Sequence, residues 1–515
     1  ANQKDRKTLN TRIIDEKWRF FCVCQIILLP LRPLKINLFY TMKKIIISLF
    51  SLLCVLSTSH AKDVGVPAQC EDVMLQAFYW DSYRLDKYGK TIWINLLKDT
   101  AAINANFDLV WLPPSAKGGG VGYYHQCLSD QNSDWGQNVS LQKLIQGLRA
   151  GGTKVIADVV INHRGNKSSW CDFYEDDFTF LYGGKFQLTE EHICSGDECF
   201  TDKKSACYGG TLRGAADTGT NDSGARDLDH TSAYVQSWAK AYLKWLKGNM
   251  KYEGFRYDMT RGYNGKYLSM YNQAAQPYIS VSEFWEGIGQ QVNHLKAAEY
   301  NTMIFDFPLK YTLGDAIVKG SYGLLKNPAN SLRGKGYAKY AVTFIDNHDT
   351  FERSDGQSNQ FGGYNVDLGT DKVKAQILQA NAYILMMPGI PCVFWPHWKS
   401  YQKEINEMIA IRKKAGIHSE SLVTDEVTGT LKYSATIHGK NGKVILRLGN
   451  NRETSAPAGY YMAAIGNHYS IYLEEGMAID EVPVPANAPQ KFIKDGQMYI
   501  QRDGKVYDMT GRLME

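Results

Sequence analysis

Four apolar runs that each finish in ionisable residues constrain this chain more than anything else in it. They are Lys154-Val-Ile-Ala-Asp158-Val-Val-Ile-Asn162-His163, Gly254-Phe-Arg256-Tyr-Asp258-Met259, Ile279-Ser-Val-Ser-Glu283-Phe-Trp285 and Ala341-Val-Thr-Phe-Ile-Asp-Asn-His348-Asp349. Strands that alternate with helix-length amphipathic segments and carry polar groups at their C-terminal ends are the pattern of an α/β fold, the (β/α)8 TIM barrel, whose site is built at those ends. The remaining strands complete the count. Val73 to Trp80 is strand one, Asp108 to Pro113 strand two, Met303 to Phe307 strand six and Pro391 to Trp395 strand eight. Apolar residues at helical spacing predict helices over Ile92 to Ile103, Leu141 to Leu148, Thr231 to Met250, Tyr267 to Ala275, Val292 to Tyr300, Lys372 to Met387 and Lys403 to Lys414.

The pattern lapses after His163 for some sixty residues rich in Gly, Asp, Ser and Cys, a length that marks a functional loop or subdomain in a compact fold. The barrel is therefore expected over 62–420, with a loop-rich insertion after strand three at about 164–229. Beyond Ser421 the texture changes to short alternating strands, Gly429 to Tyr433, Lys443 to Arg447, Gly459 to Ala463 and Tyr469 to Leu473, which predict a C-terminal antiparallel β domain over 421–475. A proline-rich linker, Glu481 to Pro489, and a hairpin-like tail fill 476–515.

Residues 1–61 read as a leader. Met42-Lys-Lys precedes an apolar run from Ile45 to Leu56, and Ser59-His60-Ala61 offers small residues at a cleavage site. This is a signal-peptide pattern starting at Met42, too short to span a membrane, so export to a periplasmic, cell-surface or extracellular location is expected. The leader carries 10 of the 58 Lys and Arg and 3 of the 53 Asp and Glu, which leaves 48 against 50 and a net charge of −2 instead of +5. The basicity belongs to the leader, so it implies neither nucleic acid nor an anionic membrane as a partner. Seven cysteines follow the leader, and Cys171, Cys194, Cys199 and Cys207 crowd the insertion. In an exported chain with no CxxC pair they are expected to be oxidised to disulfides, with three pairings open.

The chemistry centres on Arg256 and Asp258. Side chains two apart on a strand share a face, so the arginine sits beside the carboxylate and is expected to lower its pKa by roughly 1–3 units, keeping it an anion able to attack or to stabilise a cation. Glu283, next to aromatic residues, is expected to have a raised pKa suited to a general acid. The bland alternative, an Arg-Asp pair that only orders a core, does not account for four strands ending alike. Aromatic residues make up 12% of the chain, with 32 Tyr and 11 Trp, and their apolar faces and polar edges suit sugars.

DVVINH, GFRYDMTRG, SEFW and FIDNHD, in that order, resemble the four strand-end segments of the α-amylase family of glycoside hydrolases, family thirteen, and most of all its plant-type members. PGIPCVF and GIHSES extend the likeness over Val73 to Leu473. The resemblance implies a retaining α-1,4-glucan endohydrolase in which Asp258 is the nucleophile, Glu283 the acid/base and Asp349 the transition-state stabiliser. It implies that His163 and His348 bond the sugar ring, that Tyr123 stacks on it, that Arg256 positions Asp258 with help from Asp158, and that Trp285 and Arg261 meet the leaving-side sugars. His125 stands where the family has a proline. The resemblance also implies Ca²⁺ held by the side chains of Asn162, Asp217 and Asp227 and the carbonyls of Thr220 and Gly262, and a protein that acts as a monomer. Its alternatives are an exo-acting maltooligosaccharide hydrolase or transglycosylase of the same family and, from another class, a glucan-binding protein without activity.

Overall fold

The computed structural model describes residues 63–179, 183–221, 223–351, 353, 371–449 and 455–477, together with the backbone of four strands between 490 and 514. The leader with Met42 and the proline-rich linker lie outside the described residues. Eight parallel strands close a barrel: β1 (Met74–Gln76), β2 (Leu109–Trp111), β3 (Lys154–Val159), β4 (Gly254–Tyr257), β5 (Ser280–Ser282), β6 (Met303–Phe305), β7 (Ala341–Phe344) and β8 (Ile390–Phe394). Each pairs with its neighbours in chain order, and β1 closes the ring on β8. These are the eight strands the sequence predicts. Most are shorter, because the polar residues that follow the last ladder position turn out of the sheet to build the rim.

Around the barrel run α1 (Trp93–Asn106), α2 (Asn138–Ala150), α3 (Ala233–Trp245), α4 (Gly265–Ala275), α5 (Ile288–Ala297), α6 (Phe307–Val318), α7 (Asp371–Met386), the short α8 (Trp395–Ser400) and α9 (Gln402–Ala415). Helices α6 and α8 are absent from the sequence expectation. Nine of the twelve residues of α6 are buried, so it shows no polar stripe from which a 3.6-residue period could be read. Its start is fixed by Asp306, whose carboxylate accepts the Leu309 and Leu332 N–H groups at 3.0 and 2.8 Å.

The insertion leaves and returns through a two-residue antiparallel ladder, His163 opposite Asp227 and Arg164 opposite Arg226. Arg164 then anchors it from inside, pairing with Asp176 at 2.8 Å with both side chains fully buried, while the Trp238 indole donates to the same carboxylate at 2.8 Å. Cys171 and Cys207 form a disulfide, but Cys194 and Cys199 are buried free thiols, which corrects the expectation that all four are oxidised. The cluster divides by surroundings: Cys199 packs into the hydrophobic core and Cys194 lies in the field of Asp217, Asp227 and Asp229. Cys392 is a buried thiol on β8.

The C-terminal sheet has five strands, not four: β9 (Leu422–Gly429), β10 (Lys432–His438), β11 (Lys443–Gly449), β12 (Tyr460–Gly466) and β13 (Tyr469–Glu474), in the order β9-β10-β11-β13-β12. The unforeseen β9 is an edge strand with Leu422 and Val427 exposed, so it lacks the apolar-in, polar-out alternation that betrays β10. Among the described residues no helix is long and apolar enough to cross a membrane.

Candidate active site

Register sets the centre of the site. Arg256 on β4 pairs with Asp158 on β3, and both point into the barrel mouth. The Arg256 guanidinium is buried and gives Nη1 to Asp158 Oδ1 and Asp258 Oδ1, each at 2.8 Å, and Nη2 to Glu283 Oε2 at 2.9 Å. One cation therefore holds carboxylates from the ends of β3, β4 and β5. The Asp258 contact follows from the strand spacing, and the Asp158 contact matches what the family resemblance implies. The Glu283 contact does neither, because it depends on how β4 and β5 pair.

Glu283 is fixed by its neighbour strand as well. Its Oε2 accepts the Met259 N–H at 2.8 Å, and its carbonyl accepts the Thr260 hydroxyl at 2.7 Å. Met259 reaches that position by adopting a left-handed φ of 47°, a conformation a non-glycine residue takes only when its surroundings hold it there. Nothing in the sequence marks this turn.

Burial dominates the electrostatics. Removal from water pushes Asp258, Glu283, Asp158 and Asp349 above the ordinary carboxylate range, and the Arg256 charge pulls each of them back only in part. For Asp258 this reverses the expected lowering. A single guanidinium shared by several buried acids cannot offset the lost hydration of all of them, and Asp158 adds a like charge beside Asp258. Asp258 and Glu283 also act on each other, and the Asp258 charge adds to the burial that raises Glu283.

A wall of rings closes one side. Tyr123 donates its hydroxyl to Asp158 Oδ2 at 2.9 Å, and the same hydroxyl lies 2.8 Å from His348 Nε2. Gln76 binds His348 Nδ1 at 3.0 Å, which leaves the proton on Nε2, facing Tyr123 and, at 3.2 Å, Asp349 Oδ2. Burial and the nearby Arg256 and Arg353 charges hold the imidazole neutral. His163 Nε2 lies 3.0 Å from the Tyr123 carbonyl, so both expected histidines are brought to the tyrosine. Trp80 lies parallel to Tyr123 and His348, with centroids 5.8 and 6.2 Å away. The Trp111 indole donates to Asp158 Oδ2 at 3.1 Å. Gln76, Trp80 and Trp111 were not singled out in the sequence, although all three sit at or just beyond strand ends.

Across the mouth, Trp285 stacks on Phe307 at 4.7 Å and donates to the Tyr311 hydroxyl at 2.7 Å. Arg261 lies 3.7 Å from Glu286 and is substantially exposed. These two remain accessible, Arg261 in the turn after β4 and Trp285 just after β5.

Three of the expected metal ligands, Asn162, Asp227 and Gly262, are brought together. Asn162 Nδ2 lies 3.2 Å from Asp227 Oδ1, and its Oδ1 faces Gly262 so closely that a Cβ there would sit 1.9 Å away. Thr220 donates its N–H to the Arg261 carbonyl at 2.9 Å, which lays the loop from Asp217 along residues 261–263. Asp217 Oδ2 is buried with no hydrogen-bond partner. Among the described residues no three His, Cys, Asp or Glu side chains gather as metal ligands. The set here mixes two carboxylates with an amide and carbonyls, hard oxygens that fit calcium.

A closed parallel barrel with three buried carboxylates at its C-terminal mouth, flanked by aromatic rings, defines a barrel glycoside hydrolase. No protein-family model matches the chain. It is 29% identical over 437 residues to probable alpha-amylase 2 of Arabidopsis thaliana, covering 80% of this chain and 96% of that protein. Over 136 residues it is 33% identical to alpha-amylase type B isozyme of Hordeum vulgare, covering 26% of this chain and 78% of that protein. The structure of an alpha-amylase from Malbranchea cinnamomea superposes with a TM-score of 0.56 at 17% identity, over 79% of this chain and 97% of that one, a likeness of fold. The chain belongs to the α-amylase family of glycoside hydrolases.

Proposed function

We propose that the protein hydrolyses internal α-1,4-glucosidic bonds of starch- or glycogen-type glucans with retention of configuration. The observation that carries this reading is the pair of bonds, 2.8 and 2.9 Å long, by which Arg256 draws Asp258 and Glu283 together. Two carboxyls held by one guanidinium favour the close spacing of about 5–5.5 Å found in retaining enzymes over the gap of about 6.5–9.5 Å that an inverting enzyme needs for its water. They suit a double displacement.

In this mechanism Asp258 attacks the anomeric carbon, forming the carbon–oxygen bond as the glycosidic bond breaks. Glu283, whose pKa burial raises, gives its proton to the departing oxygen. It then takes a proton from the water that cleaves the ester, and Asp258 is released. Asp349, beside the neutral His348, faces the positive charge that develops on the ring. Tyr123 offers its ring face to the sugar, His163 and His348 bond its hydroxyls, and Trp285 with Arg261 meets the sugars on the leaving side. Proton NMR of early product tests the stereochemistry: α-configured ends are expected, and β-configured ends would overturn the mechanism. Products of soluble starch test the mode of attack. Mixed oligosaccharides with rapid loss of iodine colour support internal cleavage, and a single small product would assign the exo-acting reading instead.

Two further parts of the reading belong here. Ca²⁺ would be held by Asn162, Asp217 and Asp227 with the carbonyls of Thr220 and Gly262. It would order the insertion against β3 and β4 and take no part in bond cleavage. Export is supported by the Met42 to Ala61 pattern and by the Cys171–Cys207 disulfide, a bond that persists in oxidising compartments. N-terminal sequencing of the secreted protein is expected to start near Lys62.

A further inference from the structure

The loop that presents Tyr123 is held in a strained form by a residue outside the rim. Gly120, Val121 and Gly122 all adopt positive φ, at 54°, 48° and 101°. Two glycines take such angles freely, and Gly122 has no alternative, since a Cβ there would meet the Pro114 carbonyl oxygen at 2.7 Å. Val121 is β-branched, the class of side chain for which this region is a true outlier, so something must hold it. The turn is closed by the ladder of Gly118 and Gly119 with His125 and Tyr124 and by the Tyr123 N–H on the Gly120 carbonyl, and the side chain that grips Val121 itself is the Trp135 indole, which donates to its carbonyl at 3.0 Å.

Trp135 is built to hold. It is fully buried, its ring packs within 5.8 to 6.2 Å of Phe78, Tyr83 and Trp93, and its carbonyl accepts the Trp93 N–H at 2.9 Å where α1 begins. Its neighbour Gly136 packs so tightly that a Cβ would lie 2.9 Å from the Trp93 ring. The indole thus joins the rigid start of α1 to the strained turn, two residues before Tyr123.

We infer that Trp135 is a positioning residue, fixing through the left-handed Val121 the place of the Tyr123 ring and hence the binding of the sugar at the cleavage point. The inference rests on the glucanase reading for its substrate, but not for its geometry. Trp135→Phe removes the N–H and keeps the packed ring. It is expected to raise KM for a linear maltooligosaccharide about 5–10-fold with kcat changed less than about threefold. Val121→Gly added to Trp135→Phe removes the strain the indole was holding, because glycine adopts the turn unaided, and is expected to bring KM back toward the wild-type value.

The second readout needs no substrate. The His348 ring nitrogen signals, which report the Tyr123 hydroxyl beside them, are expected to shift in Trp135→Phe and return in the double variant. Wild-type KM and unshifted His348 signals in folded Trp135→Phe, or a double variant no closer to wild type than the single, overturn the inference. A wild-type protein that cleaves no maltooligosaccharide strikes at the proposed function, and the His348 signals still decide the positioning.

Discussion

Arg256 is where sequence and structure agree most closely and also where they part. Its spacing from Asp258 puts both on one strand face, and that much is written in the GFRYD run. That it also binds Glu283, and that burial outweighs its charge, are tertiary facts: they depend on strand pairing and on how much water the mouth retains. Replacing it gives the first prediction. In Arg256→Gln the charge that lowers both Asp258 and Glu283 is gone, so both limbs of the pH profile of kcat/KM should move to higher pH, with kcat down by orders of magnitude. Limbs that stay in place would mean that Arg256 does not set these acidities. Asp349 gives a second test. Burial and the neighbouring Glu283 push its pKa up to about 8 from an ordinary 3.8. A carboxyl whose folded pKa is raised binds more protons folded than unfolded, so its ionisation costs stability progressively as pH rises from about 4 to about 8. Asp349→Asn should therefore melt higher than wild type at pH 8, with the gap closing towards pH 4, while activity is lost. Equal melting temperatures at pH 8 would count against this burial cost.

At the scale of elements, all eight barrel strands were legible because each is an apolar run with a distinct polar end. Helix α6 and strand β9 were not, for opposite reasons. The helix is buried on too many sides to show a period, and the strand is exposed at a sheet edge and held in part by Glu426, which pairs with Arg333 at 2.9 Å. The one local signal for α6 was its cap, Asp306-Phe-Pro308, an acid before a proline in the first turn. Asp306 is buried, and its two oxygens satisfy N–H groups from two different segments. Asp306→Ala leaves both donors unpaired and should cost about 1–3 kcal/mol in denaturant unfolding. Asp306→Asn keeps one acceptor and should cost less. If the two variants unfold alike, the capping account of this helix start is wrong.

The largest scale is the attachment of the insertion to the barrel, which the sequence reduced to a composition: glycine, acids and four cysteines. The structure resolves it into a two-residue ladder, a buried Arg164–Asp176 pair and a single disulfide. The Asp217 loop lies between these attachments in the sequence and meets the rim through the Thr218 hydroxyl, which accepts the Asn264 N–H, through Thr220, and through Gly219, close against Arg261 and Gly262. Calcium would add a further tie. Asp217 Oδ2, buried without a partner, costs stability unless a cation or water satisfies it, and burial already pushes the Asp217 carboxyl up. A metal that binds only the folded state stabilises by about 2.7 to 4.1 kcal/mol when its concentration is 100 to 1,000 times its Kd. Excess EDTA should therefore lower the melting temperature and abolish activity, with calcium restoring both. Asp217→Ala should melt near the chelated wild type and respond little to added calcium, because the same tie is already cut. A melting curve and activity unmoved by EDTA, in protein that elemental analysis finds free of calcium, would mean that protein contacts alone hold the insertion to the barrel.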